Sequence, residues 1–209
     1  MGAAQRGLFL TLEGVDGAGK STQSAHLAQH LRATGRSVMV TREPGGSPGA
    51  EAIRRLLLDG AGPCWSVETE LLLFTAARRD HLERVIAPAL AEGRDVICDR
   101  YVDSTRAYQG MSDPATRARL ETLHALMIGL DPDLTLVLDV DPDAARARGT
   151  DEGDRFEARG AAFQRTLAAS FRALAAAEPG RMRIVDAAAD VETVAARVAA
   201  AVDPLLAGR

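Results

Sequence analysis

The segment Gly14–Ser21 constrains the fold more than any other part of the chain. It reads Gly-Val-Asp-Gly-Ala-Gly-Lys-Ser and matches the pattern G-x-x-x-x-G-K-[ST]. A short apolar run, Leu8–Leu12, precedes it, and a segment with helical spacing, Ser21–Leu31, follows it. Glycines let the backbone curl so that several N–H groups point at one phosphate, and the following helix adds its positive N-terminal end. This strand–loop–helix context predicts a P-loop that binds a nucleotide. The alternative, a glycine-rich turn with an exposed lysine, would not need to match all eight positions of the motif.

Two side chains of this loop are expected to contribute chemistry. Lys20 would act as a mobile cation for the β and γ phosphates, and the hydroxyl of Ser21 would bind Mg²⁺. The residues expected to contact the nucleotide are Gly14, Val15, Asp16, Gly17, Ala18, Gly19, Lys20, Ser21 and Thr22. GTPases, motor ATPases and kinases share this motif, so the reaction must be inferred from other parts of the chain.

Five short apolar runs are typical of buried strands because they lack strict alternation. They are Leu8–Leu12, Val38–Thr41, Val96–Cys98, Leu134–Val140 and Met182–Val185. Segments with helical spacing are Ser21–Leu31, Glu68–Leu90, Ala115–Ile128, Phe163–Ala176 and Val191–Leu206, and predicted loops are Glu43–Gly49, Asp59–Pro63 and Gly149–Asp154. Alternating strands and helices predict an α/β fold with a mainly parallel sheet and helices on both faces. The length of 209 residues predicts one domain, residues 1–209.

Composition argues against several classes of partner. The formal net charge is -4, from 25 basic and 29 acidic residues, which gives no sign of a nucleic-acid-binding surface. Two cysteines, Cys64 and Cys98, are too few for a disulfide framework or a zinc site, and Cys98 lies in an apolar run typical of the core. No apolar stretch is long enough to span a membrane. We therefore expect a cytoplasmic protein that binds neither nucleic acid nor membrane.

Four further segments carry patterns of polar and glycine residues. They are Thr41–Gly46 (Thr-Arg-Glu-Pro-Gly-Gly), Leu73–Arg78 (Leu-Phe-Thr-Ala-Ala-Arg), Asp99–Thr105 with Tyr108–Gly110, and Asp154–Glu157 (Asp-Arg-Phe-Glu). In this order, and together with the P-loop, they resemble the bacterial thymidylate kinases. The resemblance implies a P-loop NTPase fold with a five-stranded parallel sheet of order 2-3-1-4-5. It also implies transfer of the ATP γ-phosphoryl group to dTMP in dTTP biosynthesis, with Mg²⁺, by a homodimer.

The end of the third predicted strand is expected to hold the metal and the acceptor phosphate. A carboxylate at Asp99 would face the P-loop and could bind Mg²⁺ or its waters, and Arg100 could bind a phosphate with forked hydrogen bonds. A strand-end salt bridge is the alternative that the residues alone allow. The resemblance implies that Arg100 contacts the acceptor phosphate and that Asp16 approaches the acceptor's 3′-hydroxyl and phosphate.

The resemblance also implies where the acceptor base and sugar bind. Phe74 and Arg78 share one helix face, where they would stack on a pyrimidine and donate to its O4, although the pattern alone is consistent with a core residue and a solvated arginine. Tyr108 would lie near the sugar 2′ position and exclude a hydroxyl there, and the Glu43–Pro44 peptide is a candidate for the cis form. The expected acceptor contacts are Arg42, Glu43, Pro44, Phe74, Arg78, Arg100, Ser104, Thr105, Tyr108, Gln109, Asp154 and Glu157.

Residues 144–157, rich in arginine and glycine, are the predicted lid. Phosphoryl transfer depends on charge neutralisation, and this P-loop lacks the arginine that some family members carry. Lid arginines would supply that charge. Arg155 is the first candidate to reach the γ-phosphate, followed by Arg148 and then Arg146. Closure of the lid would also exclude water from the site. The arginine-rich run is shorter than is often seen in the family by about four residues, close to one helical turn. The expected catalytic residues are Lys20, Asp16, Arg100, Arg155, Arg148 and Arg146.

Alternative activities differ in what they require. A GTPase would need an N-K-x-D sequence, and none is present. The apolar run Leu134–Val140 ends in Asp139 and Asp141, the kind of acidic pair that a motor ATPase has after a later strand, which leaves that activity open. A deoxynucleoside kinase would not need Arg42 and Arg100 for an acceptor phosphate, and a non-catalytic ATP-binding module would not need the lid and metal residues. Another pyrimidine monophosphate kinase also remains an alternative.

Overall fold

A parallel sheet of five strands forms the centre of the molecule. The computed structural model describes residues 6–59, 65–110, 113–147 and 160–207. The strands are β1 (Phe9–Glu13), β2 (Val38–Arg42), β3 (Asp95–Asp99), β4 (Leu134–Asp139) and β5 (Met182–Asp186). Their order is β2-β3-β1-β4-β5, which confirms the α/β fold and the predicted order 2-3-1-4-5.

Helices cover both faces of this sheet. They are α1 (Lys20–Ala33), α2 (Pro48–Leu58), α3 (Val67–His81), α4 (Ala87–Ala91), α5 (Val102–Tyr108), α6 (Pro114–Met127), α7 (Pro142–Ala147), α8 (Gly160–Ala177) and α9 (Val191–Leu206). One core joins strand residues such as Leu10 and Leu136 to α1, α8 and α9. The second joins Phe9 and Val96 to α3, α4 and α6. Alternate residues of the buried strands thus face opposite helical layers.

Register places the functional ends of three strands side by side. Leu12 of β1 pairs with Asp99 of β3, and Asp99 also pairs with Arg42 of β2. All three strands are parallel, so their carboxyl ends meet at one edge of the sheet, which is where ligands bind in sheets of this type. The P-loop follows β1 at this same edge.

The helix boundaries depart from the periodicity in two places. The helix predicted at Glu68–Leu90 is interrupted by a π-helical turn, Leu82–Ile86, between α3 and α4. Helix α2 begins at Pro48, within a segment predicted as a loop, because Ser47 caps it and accepts a hydrogen bond from the amide of Ala50 (3.4 Å). Helices α5 and α7 were not predicted. Both are short and follow a strand: α5 has seven residues and α7 has six.

The predicted place of Cys98 in the core agrees with the structure. Cys98 is a free, buried thiol in β3, and burial together with the nearby negative charge of Glu43 raises its pKa. Within the described ranges, none of the helices combines the length and the apolar composition that crossing a bilayer requires.

Candidate active site

The P-loop curls around an open site at the N-terminus of α1. Gly14, Gly17 and Gly19 have φ angles of 139°, 76° and 90°, a region that favours glycine. Gly19 is the N-cap of α1, and a side chain there would meet no atom within 4 Å, so the backbone faces open space. The first turn of α1 has no acidic residue. The loop therefore offers N–H groups and a helix terminus to an anion.

Lys20 lies inside this loop and is only 7% exposed. Its Nζ donates to the carbonyl oxygens of Val15 (2.8 Å) and Gly14 (3.3 Å). Burial and then the positive charge of Arg100 lower the pKa of Lys20 to about 8, against the raising effect of Asp16. Asp16 is its anionic neighbour, with Oδ1 3.9 Å from Nζ, and a phosphate that entered the loop would add a second.

A cleft of about 1060 Å³ connects the P-loop to the ends of β2 and β3 and to helices α2, α3, α5 and α9. Its wall on one side is the nucleotide-binding loop, Asp16–Gln23. The rest of its lining includes the predicted acceptor residues Arg42, Glu43, Pro44, Phe74, Arg78, Arg100, Ser104, Thr105, Tyr108 and Gln109. The cleft thus has two halves, one lined by the P-loop and one lined by these residues, which include three arginines and the rings of Phe74 and Tyr108.

Ser21 and Asp99 meet where the two halves join. The Ser21 hydroxyl donates to Oδ2 of Asp99 at 2.6 Å. Hydroxyl and carboxylate oxygens are hard ligands of the kind that Mg²⁺ prefers. No three His, Cys, Asp or Glu side chains within the described ranges cluster to hold a metal by themselves. A cation between Ser21 and Asp99 would thus need phosphate oxygens and water to complete its shell, as Mg²⁺ commonly does.

Arg100 bridges the P-loop and the acceptor half. Its Nη1 donates to Gly14 O and to Ser104 Oγ, both at 3.1 Å, and its Nη2 pairs with Asp16. The Asp16 carboxylate also accepts from the Tyr108 hydroxyl at 3.2 Å. Although burial raises the pKa of Asp16, the charges of Arg100 and Lys20 outweigh it, and the pKa lies below its ordinary value. Asp16 is therefore ionised and holds Arg100 at the junction of the two halves.

The buried carboxylate of Glu43 orients Arg78 in the acceptor half. Arg78 Nε donates to Glu43 Oε2 at 2.8 Å, and its Nη2 donates to Thr105 Oγ1 at 3.0 Å. Its guanidinium lies 4.9 Å from the ring centroid of Tyr101. The side chain is 4% exposed, so it is not the solvated arginine of the alternative interpretation. Its Nε and Nη2 thus have partners within the protein, and Phe74 lines the same cleft.

A carboxylate from β1 fixes the start of α5. Glu13 is fully buried, and its Oε1 accepts from the amides of Tyr101 (2.8 Å) and Ser104 (3.2 Å). Its Oε2 accepts from the Ser104 hydroxyl at 2.6 Å. Burial, then the negative charge of Asp103, raise the pKa of Glu13 to about 7 despite these hydrogen bonds. The helix that carries Thr105 and Tyr108 is thus capped by the strand that leads into the P-loop.

The family model described as thymidylate kinase matches residues 12–198 of the chain. The chain belongs to the thymidylate kinase family. It is 57% identical over 199 residues to the thymidylate kinase of Dinoroseobacter shibae, a match covering 94% of this chain and 96% of that one. It is 58% identical over 195 residues to the thymidylate kinase of Ruegeria pomeroyi, with 92% of each chain covered.

A solved structure agrees with this assignment. The crystal structure of thymidylate kinase from Ehrlichia chaffeensis superposes with a TM-score of 0.76 at 33% identity and covers 95% of this chain and 99% of that one. The family consists of ATP-dependent nucleoside monophosphate kinases, so the predicted enzyme class is confirmed.

Some residues predicted from the thymidylate kinase pattern do not appear in the described cleft. Arg146 lies on α7 with its side chain exposed and is not among the lining residues. Arg148, Asp154, Arg155 and Glu157 lie outside the described residues. Helix α7 still reaches the P-loop, because a Cβ on Gly17 would lie 2.4 Å from the carbonyl oxygen of Ala145.

The peptide bond between Glu43 and Pro44, which was a candidate for the cis form, is cis in the structure.

Several members of the thymidylate kinase site were missed in the sequence. Arg54 of α2 lines the cleft and donates to Pro44 O at 2.7 Å, and Glu51 of α2 pairs with Arg42 at 3.0 Å. The start of α9, including Val191, lines the nucleotide side, where Gln23 donates to the Val191 carbonyl at 3.0 Å. Amphipathic spacing in residues 50–58 was the available signal for α2, but its polar face reads as solvated surface in the sequence.

Proposed function

We propose that the cleft transfers the γ-phosphoryl group of ATP to dTMP, giving ADP and dTDP. The observation that carries the proposal is the Arg100–Asp16 pair. It joins a P-loop to a pocket that holds Arg78 and Phe74 within one cleft. Phosphoryl transfer requires little covalent chemistry from the protein, so a site that places two phosphates side by side among cations is sufficient.

The donor half would be the P-loop and the start of α1. Its amides from Gly14 to Thr22 would cradle the β and γ phosphates, and Lys20 would exchange its carbonyl partners for phosphate oxygens. Ser21 and Asp99 would hold Mg²⁺, which when bound spreads the developing charge of the phosphates. The adenine end would lie toward Ala187, Val191 and Val194, which line the cleft on that side.

The acceptor half would read both the phosphate and the base of dTMP. Arg100 would bind the acceptor phosphate by its unused N–H groups, with Arg42 at the other side of the pocket. Arg78 would donate from Nη1 to O4 of the thymine ring, which Phe74 would stack against. Ser104, Thr105 and Gln109 line the base and sugar side, and Tyr108 would exclude a 2′-hydroxyl.

The remaining parts of the proposal concern the lid, the assembly and the location. One kinase domain, residues 1–209, would carry a lid over residues 144–157 whose Arg146, Arg148 and Arg155 approach the phosphates, with Asp154 and Glu157 beside them. A homodimer would cover the exposed apolar side chains Leu72, Leu126 and Met127 of α3 and α6, two helices that pack together. The reaction and its free buried thiol suit the cytoplasm.

The acceptor range tests the reaction directly. ADP release would be measured with dTMP, dUMP, UMP, CMP and thymidine at saturating ATP and Mg²⁺. We expect dTMP to have the highest kcat/KM and thymidine to be at least about tenfold poorer, because thymidine has no phosphate for Arg100 to bind. Equal rates with thymidine would point to a deoxynucleoside kinase, and equal rates with UMP and dUMP would remove the steric role of Tyr108. ADP release that no acceptor stimulates would contradict the proposal.

A further inference from the structure

His81, the last residue of α3, is fully buried at the back of the acceptor pocket and has no part in the transfer described above. Its Nδ1 lies 3.1 Å from Oε1 of Glu43, and its Nε2 lies 2.7 Å from the hydroxyl of Thr41. Both ring nitrogens therefore have polar partners at the end of β2, Thr41 within the strand and Glu43 directly after it. The imidazole joins α3 to that segment.

The chemistry of the two partners determines the tautomer. An ionised carboxylate only accepts hydrogen bonds, so Nδ1 must carry the proton that reaches Glu43. The Thr41 hydroxyl can donate, so Nε2 of a neutral ring accepts from it. The neutral Nδ1–H form satisfies every group in this buried chain without placing a further charge in the interior.

The loop after β2 closes directly on the imidazole ring. Gly46 has a φ angle of 86°, and a Cβ there would lie 2.4 Å from Nε2 of His81 and 2.6 Å from Oγ1 of Thr41. Only a residue without a side chain fits in this space. The ring thus sets the position of the loop that contributes Glu43 and Pro44 to the cleft.

Glu43 transmits this position to the acceptor pocket. Its Oε1 faces His81, while its Oε2 accepts from Arg78 Nε. Resting on the proposed function, we propose that His81 is a positioning residue that orients Glu43, and through it Arg78, for recognition of the acceptor base. Without the Nδ1–H donor, Glu43 would have one buried oxygen without a donor and would turn, and Arg78 would lose its fixed direction.

The two amide substitutions separate this role from simple packing. In His81→Asn an amide group occupies the place of Nδ1 and can still donate to Glu43. In His81→Gln the amide reaches the place of Nε2 and meets Thr41 instead. The measurements are KM for ATP, KM for dTMP, and the ratio of kcat/KM for dTMP over dCMP. That ratio reports on Arg78 because thymine presents an acceptor at position 4 and cytosine presents an amino donor.

We expect His81→Asn to keep KM for dTMP and the dTMP/dCMP ratio within about threefold of wild type. In His81→Gln and His81→Phe we expect KM for dTMP to rise, and the ratio to fall, by about tenfold or more, because a buried carboxylate oxygen loses its donor. KM for ATP should stay within about twofold in all three, since the P-loop is built on α1. Asn and Gln variants with the same ratio, or a folded Phe variant with the wild-type ratio, would overturn the inference.

His124→Asn is the matched control. His124 is a second buried histidine, in α6 and 3.2 Å from Asp131, and it does not line the cleft. Its replacement should lower thermal stability and leave the dTMP/dCMP ratio unchanged.

A separate variant covers the case in which His81 substitutions do not fold. Thr41→Val removes the hydroxyl donor from Nε2 without a large change of volume, so the ring is free to move its proton away from Nδ1. The dTMP/dCMP ratio should fall by about threefold or more; a wild-type ratio in this variant would contradict the inference. Wild-type protein that fails to phosphorylate dTMP would instead refute the proposed function itself.

Discussion

Arg100 shows at the scale of one residue how the fold prepares the site. It has a φ angle of 68°, and it is the only non-glycine residue in the described ranges with a positive φ. That conformation costs on the order of 1–3 kcal/mol and persists only where the surroundings determine it. Its amide donates to Leu12 O at 2.9 Å, and its carbonyl accepts from the Cys98 thiol at 3.0 Å. These bonds hold the backbone while the side chain reaches Asp16.

Glu13 makes a second residue-scale contribution, and its charge is linked to stability. Its pKa is raised to about 7 by burial and by Asp103, with Ser104 and Arg100 acting in the opposite direction. A raised pKa means that the folded state binds the proton more tightly than the unfolded state, in which a glutamate titrates near 4.3. The stabilising contribution is complete below the unfolded pKa and is lost as pH rises through the folded pKa.

We therefore predict a pH-dependent difference between wild type and Glu13→Gln, which cannot titrate. The unfolding free energy of wild type minus that of the variant should fall by roughly 2 kcal/mol between pH 5 and pH 8. Urea unfolding of both proteins at four or five pH values measures it. A difference that is constant or rises with pH would show that Glu13 is already ionised in the folded protein.

Helix α5 illustrates the element scale, because its two faces have different tasks. Thr105 and Tyr108, three positions apart, line the cleft, while Asp103 and Arg106 point into the protein. Asp103 is fully buried and accepts from Arg106 (2.9 Å), Arg181 (2.6 Å) and Thr135 (2.9 Å). Burial raises its pKa, but the two arginines outweigh that effect and lower it. The helix is thereby tied to β4 and to the start of β5.

Asp103→Asn should loosen this attachment. The substitution leaves the charges of Arg106 and Arg181 incompletely compensated in the interior, and breaking such a buried pair costs about 3–5 kcal/mol. We expect the lower end of that range, because Glu121 and Glu178 still pair with the two arginines. Urea unfolding measures the loss.

Asp186→Asn, at the end of β5, is the matched control for Asp103→Asn. It removes an ion pair to Arg197 at a site where the aspartate side chain is 63% exposed, and exposed pairs contribute less than about 1 kcal/mol. Equal losses in the two variants would mean that Asp103 does not act as a buried anchor.

At the scale of the whole molecule, the distribution of apolar surface bears on assembly. Leu126 is 75% exposed and Leu72 is 57% exposed, on the helices α6 and α3, which pack together, and Met127 at the end of α6 is 45% exposed. Large apolar side chains grouped in this way are typical of an interface between subunits. The cleft opens at the carboxyl edge of the sheet and contains none of these three residues.

Leu126→Glu should convert the proposed homodimer into a monomer, because a carboxylate would be desolvated in the interface. Light scattering after size-exclusion chromatography would give the mass. Ile184→Glu, on the edge strand β5 at a residue that is 49% exposed, is the control and should leave the mass unchanged. A wild-type protein that is monomeric at micromolar concentration would refute the proposed dimer.

Local signals account for what could be predicted. The glycine pattern of the P-loop and the apolar runs of β1 to β5 are properties of short segments, and a buried parallel strand has a recognisable composition by itself. The predicted segments after β1, β2 and β3 line one cleft, because the carboxyl ends of parallel strands meet at one edge. Helix α2 and the π-helical turn at Leu82–Ile86 were not predicted, since capping and packing decided them.

The sequence by itself determined the phosphate-binding loop, the strand–helix alternation and the set of polar segments at the strand ends. The tertiary structure alone decided which partners those polar groups have. Glu43 meets Arg78 and His81, 35 and 38 positions away, and Glu13 meets Tyr101, 88 positions away. Such pairs depend on which segments are brought together and desolvated, because a buried charge persists only beside its partner, and no local periodicity carries that information.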